Sequence, residues 1–340
     1  MESREDMIAF AREALGLAKL VSVELSPLEG RGSDRAFYRL KWNGNNSAIL
    51  IHYDPRRVEN RYYADIASFL CGIDVPAPRM IRHDPDRYLI VMEDLGDMDL
   101  WSLGQAPWDT RRALYHKTLT AAYRLHSFPE KVFPSTRVKL MEGFGPDLYR
   151  WERHYFRDHF VMDFCGIKFD PSFEQDLEAE LSSLANRLSG GARCLVHRDL
   201  QSQNVMIRDG KPFLIDFQGM RFGSPFYDLG SLLCDPYVNF SDNDRDELLS
   251  FYHGLANWDL DWPPFQKTFW EASAQRLMQA LGAYGFLGLK KGIKAFLAYI
   301  PAGLRHLHRA AAAASLSRLR ELSAKCQRVI EQRSIVGEKE

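Results

Sequence analysis

Cysteine is scarce in this chain: five in 340 residues, with no Cys-x-x-Cys pair. That excludes a disulfide scaffold and a thiolate zinc cluster, and leaves Cys71, Cys165, Cys194, Cys234 and Cys326 as reduced, small apolar residues. Charge of one sign is lacking too. Lys and Arg number 44 against 45 Asp and Glu, a formal net charge of −1. No overall basic field is available to hold nucleic acid or an anionic membrane. Long apolar runs are missing as well: the most apolar late stretch, 281–300, is broken by Lys290, Lys291 and Lys294 and is no membrane span. The opening Met-Glu-Ser-Arg-Glu-Asp is too charged to begin a signal peptide. A cytoplasmic protein is expected, without nucleic-acid or membrane partners. No feature of the sequence sets its oligomeric state.

What is present is concentrated in residues 194–218, which read as strand, loop, short strand, Asp-Gly turn and strand. His197, Asp199 and Asn204 fall in the loop, and Asp216 closes the last apolar run. An Asp can orient a hydroxyl and accept its proton. An Asn five residues later offers a neutral carbonyl oxygen to a hard cation, and a second Asp on the neighbouring strand can bridge that cation to ATP phosphates. Oxygen-only ligands suit Mg²⁺ and do not suit zinc. A plain β-hairpin, with Asp199 and Asn204 merely capping backbone groups, is the competing reading. The length of the match, His-x-Asp-x4-Asn through Phe-Leu-Ile-Asp-Phe, favours the phosphoryl-transfer one.

The rest of the chain divides in two. Residues 3–17 have the spacing of an amphipathic helix. β-like runs follow at 19–26, 35–42 and 47–53, the last two joined by Asn43-Gly44-Asn45-Asn46. Between the first two runs lies Gly30-Arg31-Gly32-Ser33-Asp34-Arg35, a loop whose backbone N–H groups can approach ATP phosphates or serve only as a turn. A helix is expected over 57–71 and two further strands over 79–83 and 88–93. Met92-Glu93-Asp94-Leu95-Gly96 leads out of the last strand, where a linker's backbone groups can bond an adenine. From 108 onward the pattern is helical, at 108–127, 147–164, 171–189, 227–236, 243–256, 264–287, 289–299 and 302–334. The expected fold class is therefore α+β and bilobal. The expected domains are a five-stranded N-lobe over 1–93, a linker over 94–107, and a helical C-lobe over 108–340 carrying the catalytic loop, with the ligand site in the cleft between lobes.

On these motifs the chain resembles the aminoglycoside phosphotransferase-like kinases, small-molecule kinases of the protein-kinase-like fold that use ATP and Mg²⁺. The resemblance spans about residues 20–310. It implies Asp199 as catalytic base and Asn204 and Asp216 as metal ligands. Gly32, Ser33, Asp34, Arg35, His52, Glu93 and Leu95 would lie around the nucleotide, with His197 and Asp228 as structural support for the loop. A closer similarity is to the anomeric kinases of bacterial cell-wall recycling, which phosphorylate N-acetylmuramate or N-acetylglucosamine at the C1 hydroxyl. It rests on Ser33-Asp34-Arg35-x-Phe37-Tyr38-Arg39, on Ser231-Leu232-Leu233-x-Asp235-x-Tyr237, and on Gln275-Arg276-x4-Gly282 with Tyr299-Ile300-Pro301. It implies that Glu152, Asp235, Arg276 and Gln279 line a sugar pocket.

One departure stands out. The family's third strand carries a lysine for the α/β-phosphates, whereas this one reads Ala48-Ile49-Leu50-Ile51-His52-Tyr53. His52 is nearest that position, and Arg35, Arg56 and Arg57 are alternative sources of charge. Losing such a donor costs about 3–4 kcal/mol of transition-state stabilisation unless another residue replaces it. A protein kinase is disfavoured, because Asp216-Phe217-Gln218 stands in place of Asp-Phe-Gly and no Ala-Pro-Glu follows. The expected activity is transfer of the γ-phosphate of ATP to an amino-sugar hydroxyl. Another acceptor (an aminoglycoside, choline or homoserine) and a non-catalytic nucleotide-binding module are the alternatives.

Overall fold

The computed structural model describes residues 2–28, 35–255 and 260–337. An antiparallel sheet, in the order β1-β2-β3-β5-β4, forms the first lobe from Val23–Leu28 (β1), Ala36–Trp42 (β2), Asn46–His52 (β3), Met80–Asp84 (β4) and Leu89–Glu93 (β5). Asn43 and Gly44 take left-handed backbone angles, φ 44° and 81°, and so turn β2 tightly back into β3. Side-chain alternation gives the sheet two apolar faces. Ala48, Leu50, Leu89 and Val91 pack with Met7, Phe10 and Ala11 of α1 (Arg4–Ala14). Ile49, Ile51, Ile90 and Met92 pack with Tyr63, Ile66, Ala67 and Leu70 of α2 (Val58–Gly72), within the core that continues into the second lobe.

The connection is more than a flexible link. Leu100 N donates to Val205 O and Ile207 N donates to Met98 O, each at 2.8 Å, so the segment after β5 pairs with β7 (Val205–Arg208). Leu214 N, at the end of β8 (Lys211–Leu214), donates to Pro76 O of the first lobe at 2.8 Å. Helices build the remainder: α3 (Trp108–His126), α4 (Pro146–Phe156), α5 (Pro171–Gly190), α6 (Pro225–Leu233), α7 (Asp242–Leu255), α8 (Trp262–Gly285), α9 (Ile300–Ala313) and α10 (Ser317–Gly337). Most of α8 from Phe269 onward is buried all round, which makes it the axis of this lobe.

Three elements differ from the sequence expectation. The 147–164 helix is regular only to Phe156; Arg157–Phe164 is wound as a π-helix where it crosses α8. The crossing is close enough that a Cβ on Gly282 would stand 2.9 Å from Phe156 N. The 289–299 helix is instead a π turn over Phe286–Lys290 and a 3₁₀ segment over Lys294–Tyr299, split at left-handed Gly292. The 302–334 helix is two helices broken at Ser315, whose φ is 59°. A tertiary cap explains the break: Glu180 of α5 accepts from Arg318 N at 3.1 Å and Leu319 N at 2.9 Å, the exposed first turn of α10.

Candidate active site

The loop between β6 (Cys194–Val196) and β7 is held from below by two aspartates on or next to α6. Asp228, fully buried in the first turn of that helix, accepts from His197 N at 2.6 Å, Arg198 N at 2.8 Å and His126 Nε2 at 3.0 Å. Asp235, just past the helix, accepts from Ser202 N at 2.8 Å and Ser202 Oγ at 2.6 Å, and also from Tyr237 N at 3.1 Å. Two cross-ties fix the loop laterally. His197 Nε2 donates to Ile215 O at 2.9 Å, and Asn204 Nδ2 donates to Asp199 O at 2.9 Å. Arg198 and Asp216 both adopt left-handed angles, φ 77° and 63°, a conformation that side-chain-bearing residues keep only when surroundings enforce it. The hydrogen bonds to Asp228 and Ile215 are that enforcement.

Asp199 is ringed by positive charge. Its Oδ2 is ion-paired with Arg198 Nη1, and its Oδ1 lies 3.2 Å from Arg276 Nη2 of α8. Burial would push the Asp199 carboxyl up, but the two guanidinium groups outweigh it and hold it below the usual carboxylate range. A third guanidinium, Arg221, lies within electrostatic range, and burial and the charge of Arg198 lower its proton affinity. Glu152 is 1% exposed and accepts from Tyr227 Oη at 2.7 Å and Gln275 Nε2 at 2.9 Å; burial raises its carboxyl against those bonds. Guanidinium groups thus surround Asp199, with the buried carboxyl groups of Glu152, Asp228 and Asp235 set behind them.

Above it a cleft of about 520 Å³ opens between the lobes. Ile49 and Met92 from the sheet and Met206 and Ile215 from the helical lobe form its apolar walls, with Glu93 and Leu95 at the linker end. Asn204, Asp216 and Arg35 meet at the opposite end. The Asn204 amide nitrogen is spent on the loop, so its carbonyl oxygen is the group left for a cation. The Asp216 carboxylate already holds a cationic group, the Arg35 guanidinium. An oxygen-only pair of this kind fits Mg²⁺ completed by phosphate and water oxygens.

Not every expected residue is here. Gly32, Ser33 and Asp34 lie outside the described residues. His52 must be corrected. It shares the parity of Ala48 and Leu50, so it projects toward α1, where the Glu2 carboxylate acts on it, and it does not line the cleft. Of the four residues expected around a sugar, Arg276 reaches Asp199 directly and Gln279 accepts from Arg276, whereas Asp235 is engaged beneath Ser202 and Glu152 is enclosed. Arg198, Arg221 and His126 were missed. Arg198 was in plain view inside the His-Arg-Asp motif, while no local pattern marks the other two.

A two-lobed cleft of this shape, floored by an Asp–Asn–Asp set, is the architecture of a kinase. Solved structures share it. A choline kinase from Cryptosporidium parvum superposes with a TM-score of 0.63 at 14% identity, over 95% of this chain and 99% of that one. An ADP-bound aminoglycoside phosphotransferase gives a TM-score of 0.61 at 14% identity, over 91% and 99%. The sequence profile of the phosphotransferase enzyme family matches residues 24–266, well over half of the chain, and the chain belongs to that family. It is a small-molecule kinase, transferring a phosphoryl group to a hydroxyl. The N-acetylmuramate/N-acetylglucosamine kinase of Pseudomonas aeruginosa is 25% identical over 308 residues, covering 88% of this chain and 87% of that protein. Among the described residues, no helix is long and apolar enough to cross a membrane.

Proposed function

We propose that this kinase phosphorylates N-acetyl amino sugars at the anomeric C1 hydroxyl, with ATP as phosphoryl donor and N-acetylmuramate or N-acetylglucosamine as acceptor. The observation that carries the choice of acceptor is the cluster of Arg198, Arg221 and Arg276 about Asp199. Cationic aminoglycosides and choline would meet like charge there, whereas a neutral or carboxylate-bearing sugar would not. The similarity to the Pseudomonas aeruginosa enzyme, which spans most of both chains, supports the same acceptor class.

In this reading the adenine occupies the slot between Ile49, Met92, Met206 and Ile215, bonding to the linker near Glu93 and Leu95. Asn204 and Asp216 would hold Mg²⁺, which when bound supplies charge neutralisation at the phosphate oxygens. Asp199 orients the acceptor hydroxyl and takes its proton on a carboxylate oxygen; the flanking guanidinium groups keep that carboxylate ionised and ready to do so. Arg276 and Gln279 face the acceptor, while Asp235 braces the loop through Ser202 and Glu152 holds Tyr227 and Gln275 behind it. Most of the rate enhancement then comes from positioning and fixed charge.

The test is ADP release by purified protein with Mg²⁺-ATP against N-acetylmuramate, N-acetylglucosamine, a simple hexose, homoserine, choline and kanamycin. The expected product is an acid-labile sugar 1-phosphate, identified by ³¹P NMR. Turnover confined to choline or kanamycin would overturn the acceptor assignment.

A further inference from the structure

No cation of β3 faces the cleft: Ile49 and Ile51 occupy its cleft-side positions and His52 the other face. A triphosphate beside Asn204 and Asp216 needs positive charge from elsewhere. Among the described residues, two arginines line the cleft. Arg39 is committed to the linker end, its Nε 2.8 Å from Asp94 Oδ2 and its Nη2 2.8 Å from Asp97 Oδ1. Arg35 stands at the other end, immediately before β2, only 8% exposed. Its guanidinium carbon lies 5.2 Å from the Phe37 ring centre and 5.6 Å from that of Tyr63. Nη1 donates to Gln218 Oε1 at 3.0 Å, and Nη2 is ion-paired with Asp216 Oδ1.

We propose that Arg35 is the phosphate-positioning residue that takes over from the absent strand lysine, and that its pairing with Asp216 is one of two stations. This rests on the reading of Asp216 as a metal ligand. The first station applies without nucleotide, when the carboxylate balances the guanidinium. In the second, a metal ion occupies the carboxylate and Arg35 moves to phosphate oxygens, which its planar fork of donors fits in bidentate fashion. The Phe37 and Tyr63 rings provide flat surfaces over which a guanidinium shifts without losing contact. Metal alone is the more disfavoured state. Metal without phosphate strands a buried cation, whereas phosphate without metal costs less, because the Asp216 carboxylate is 32% exposed and also accepts from Gln218 Nε2 at 3.1 Å. Metal and triphosphate binding are thereby coupled, each strengthening the other.

The test compares wild type with Arg35→Met and Arg35→Lys, using thermal melting to establish folding. Mn²⁺ binding without nucleotide is read from the free-ion EPR signal, and Mg²⁺-ATP binding by calorimetry. The two affinities of Arg35→Met are expected to move in opposite directions. Mn²⁺ alone binds several-fold tighter, because Asp216 is released, while Mg²⁺-ATP binds about tenfold or more weaker, because a charge-assisted phosphate contact is gone. Arg35→Lys recovers part of the ATP affinity. A parallel loss of both affinities, or unchanged ATP affinity in a folded Arg35→Met protein, overturns the proposal. Asp216→Asn separates the underlying reading: if it leaves Mn²⁺-ATP binding intact, the metal assignment is what fails.

Discussion

Asp228 offers the sharpest perturbation, because its effect on stability and its effect on rate follow from the same three hydrogen bonds. The side chain is fully buried and accepts from His197 N, Arg198 N and His126 Nε2. Asp228→Ala leaves three donors without an acceptor, and each orphaned buried group costs about 1–3 kcal/mol. Partial relaxation and water entry reduce the sum, so a net loss of about 3–5 kcal/mol is expected, in the diagnostic tail of single substitutions. The melting temperature should fall by roughly 4–7 °C, as the unfolding entropy of a chain this long implies. The same bonds hold Arg198 at φ 77°, a conformation worth about 1–3 kcal/mol of strain. Releasing it lets the loop relax and shifts Asp199 away from its position beside Arg276. A displacement of an ångström at a reacting group costs about 10²-fold in turnover. KM for ATP should change far less, since the linker and cleft walls are untouched. Differential scanning fluorimetry paired with steady-state kinetics reads both numbers. Asp228→Asn, which keeps one acceptor oxygen, should fall between. An Asp228→Ala protein that melts and turns over like wild type would refute the argument.

Other predictions are shorter. Asp199→Asn should lower kcat by about 10²–10⁴-fold while leaving ATP binding measurable by calorimetry; near wild-type turnover would remove Asp199 from its assigned role. Burial raises the Asp235 carboxyl from its usual 3.8 to about 6 against the opposing hydrogen bonds from Ser202. Because the folded state holds this proton more tightly than the unfolded chain, Asp235 contributes stability below its unfolded value that is lost as pH rises through about 6. That contribution amounts to about 3 kcal/mol at most, and denaturant titrations at pH 4 and pH 7 should show Asp235→Asn flattening the corresponding slope. Gly285→Ala would drive a methyl group into the His159 carbonyl at the crossing of α8 with the π-helical turn. A loss of about 1–3 kcal/mol in urea unfolding is expected, and an unchanged midpoint would mean that the crossing is slack.

The grouping of the loop residues was readable from sequence because they are close together in the chain. His197, Asp199, Asn204 and Asp216 span 20 positions, and local strand and turn chemistry was enough to arrange them. The β2–β3 hairpin was legible at Asn43–Gly44, whereas the pairing of β3 with β5 was not, because both are continuous apolar runs with no turn between them to set the order. What sequence hid was set by distant partners. The identity of the face toward which His52 points depends on strand register, and one residue of slip reverses it. The π-helical winding of Arg157–Phe164 answers to glycines on α8, more than 100 residues later. The break between α9 and α10 interrupts an Ala-rich run with excellent helix propensity, and its cause is a carboxylate on α5. Arg276 meets Asp199, and Arg221 comes within electrostatic range of it, only through the tertiary fold.

The joint between the lobes has an implication for variation. Leu100 N, Ile207 N and Leu214 N make the three main-chain bonds that tie linker, hairpin and first lobe together. Main-chain amides are supplied by every residue type except one, so the bonds themselves are indifferent to side-chain identity, and what keeps Leu100, Ile207 and Leu214 apolar is their burial in the core. Linker side chains can be exchanged for others that suit a different base or sugar, and the hairpin bearing Asp216 stays in register with the cleft. Proline at 100, 207 or 214 is the one substitution that would erase a donor and let the two halves drift apart.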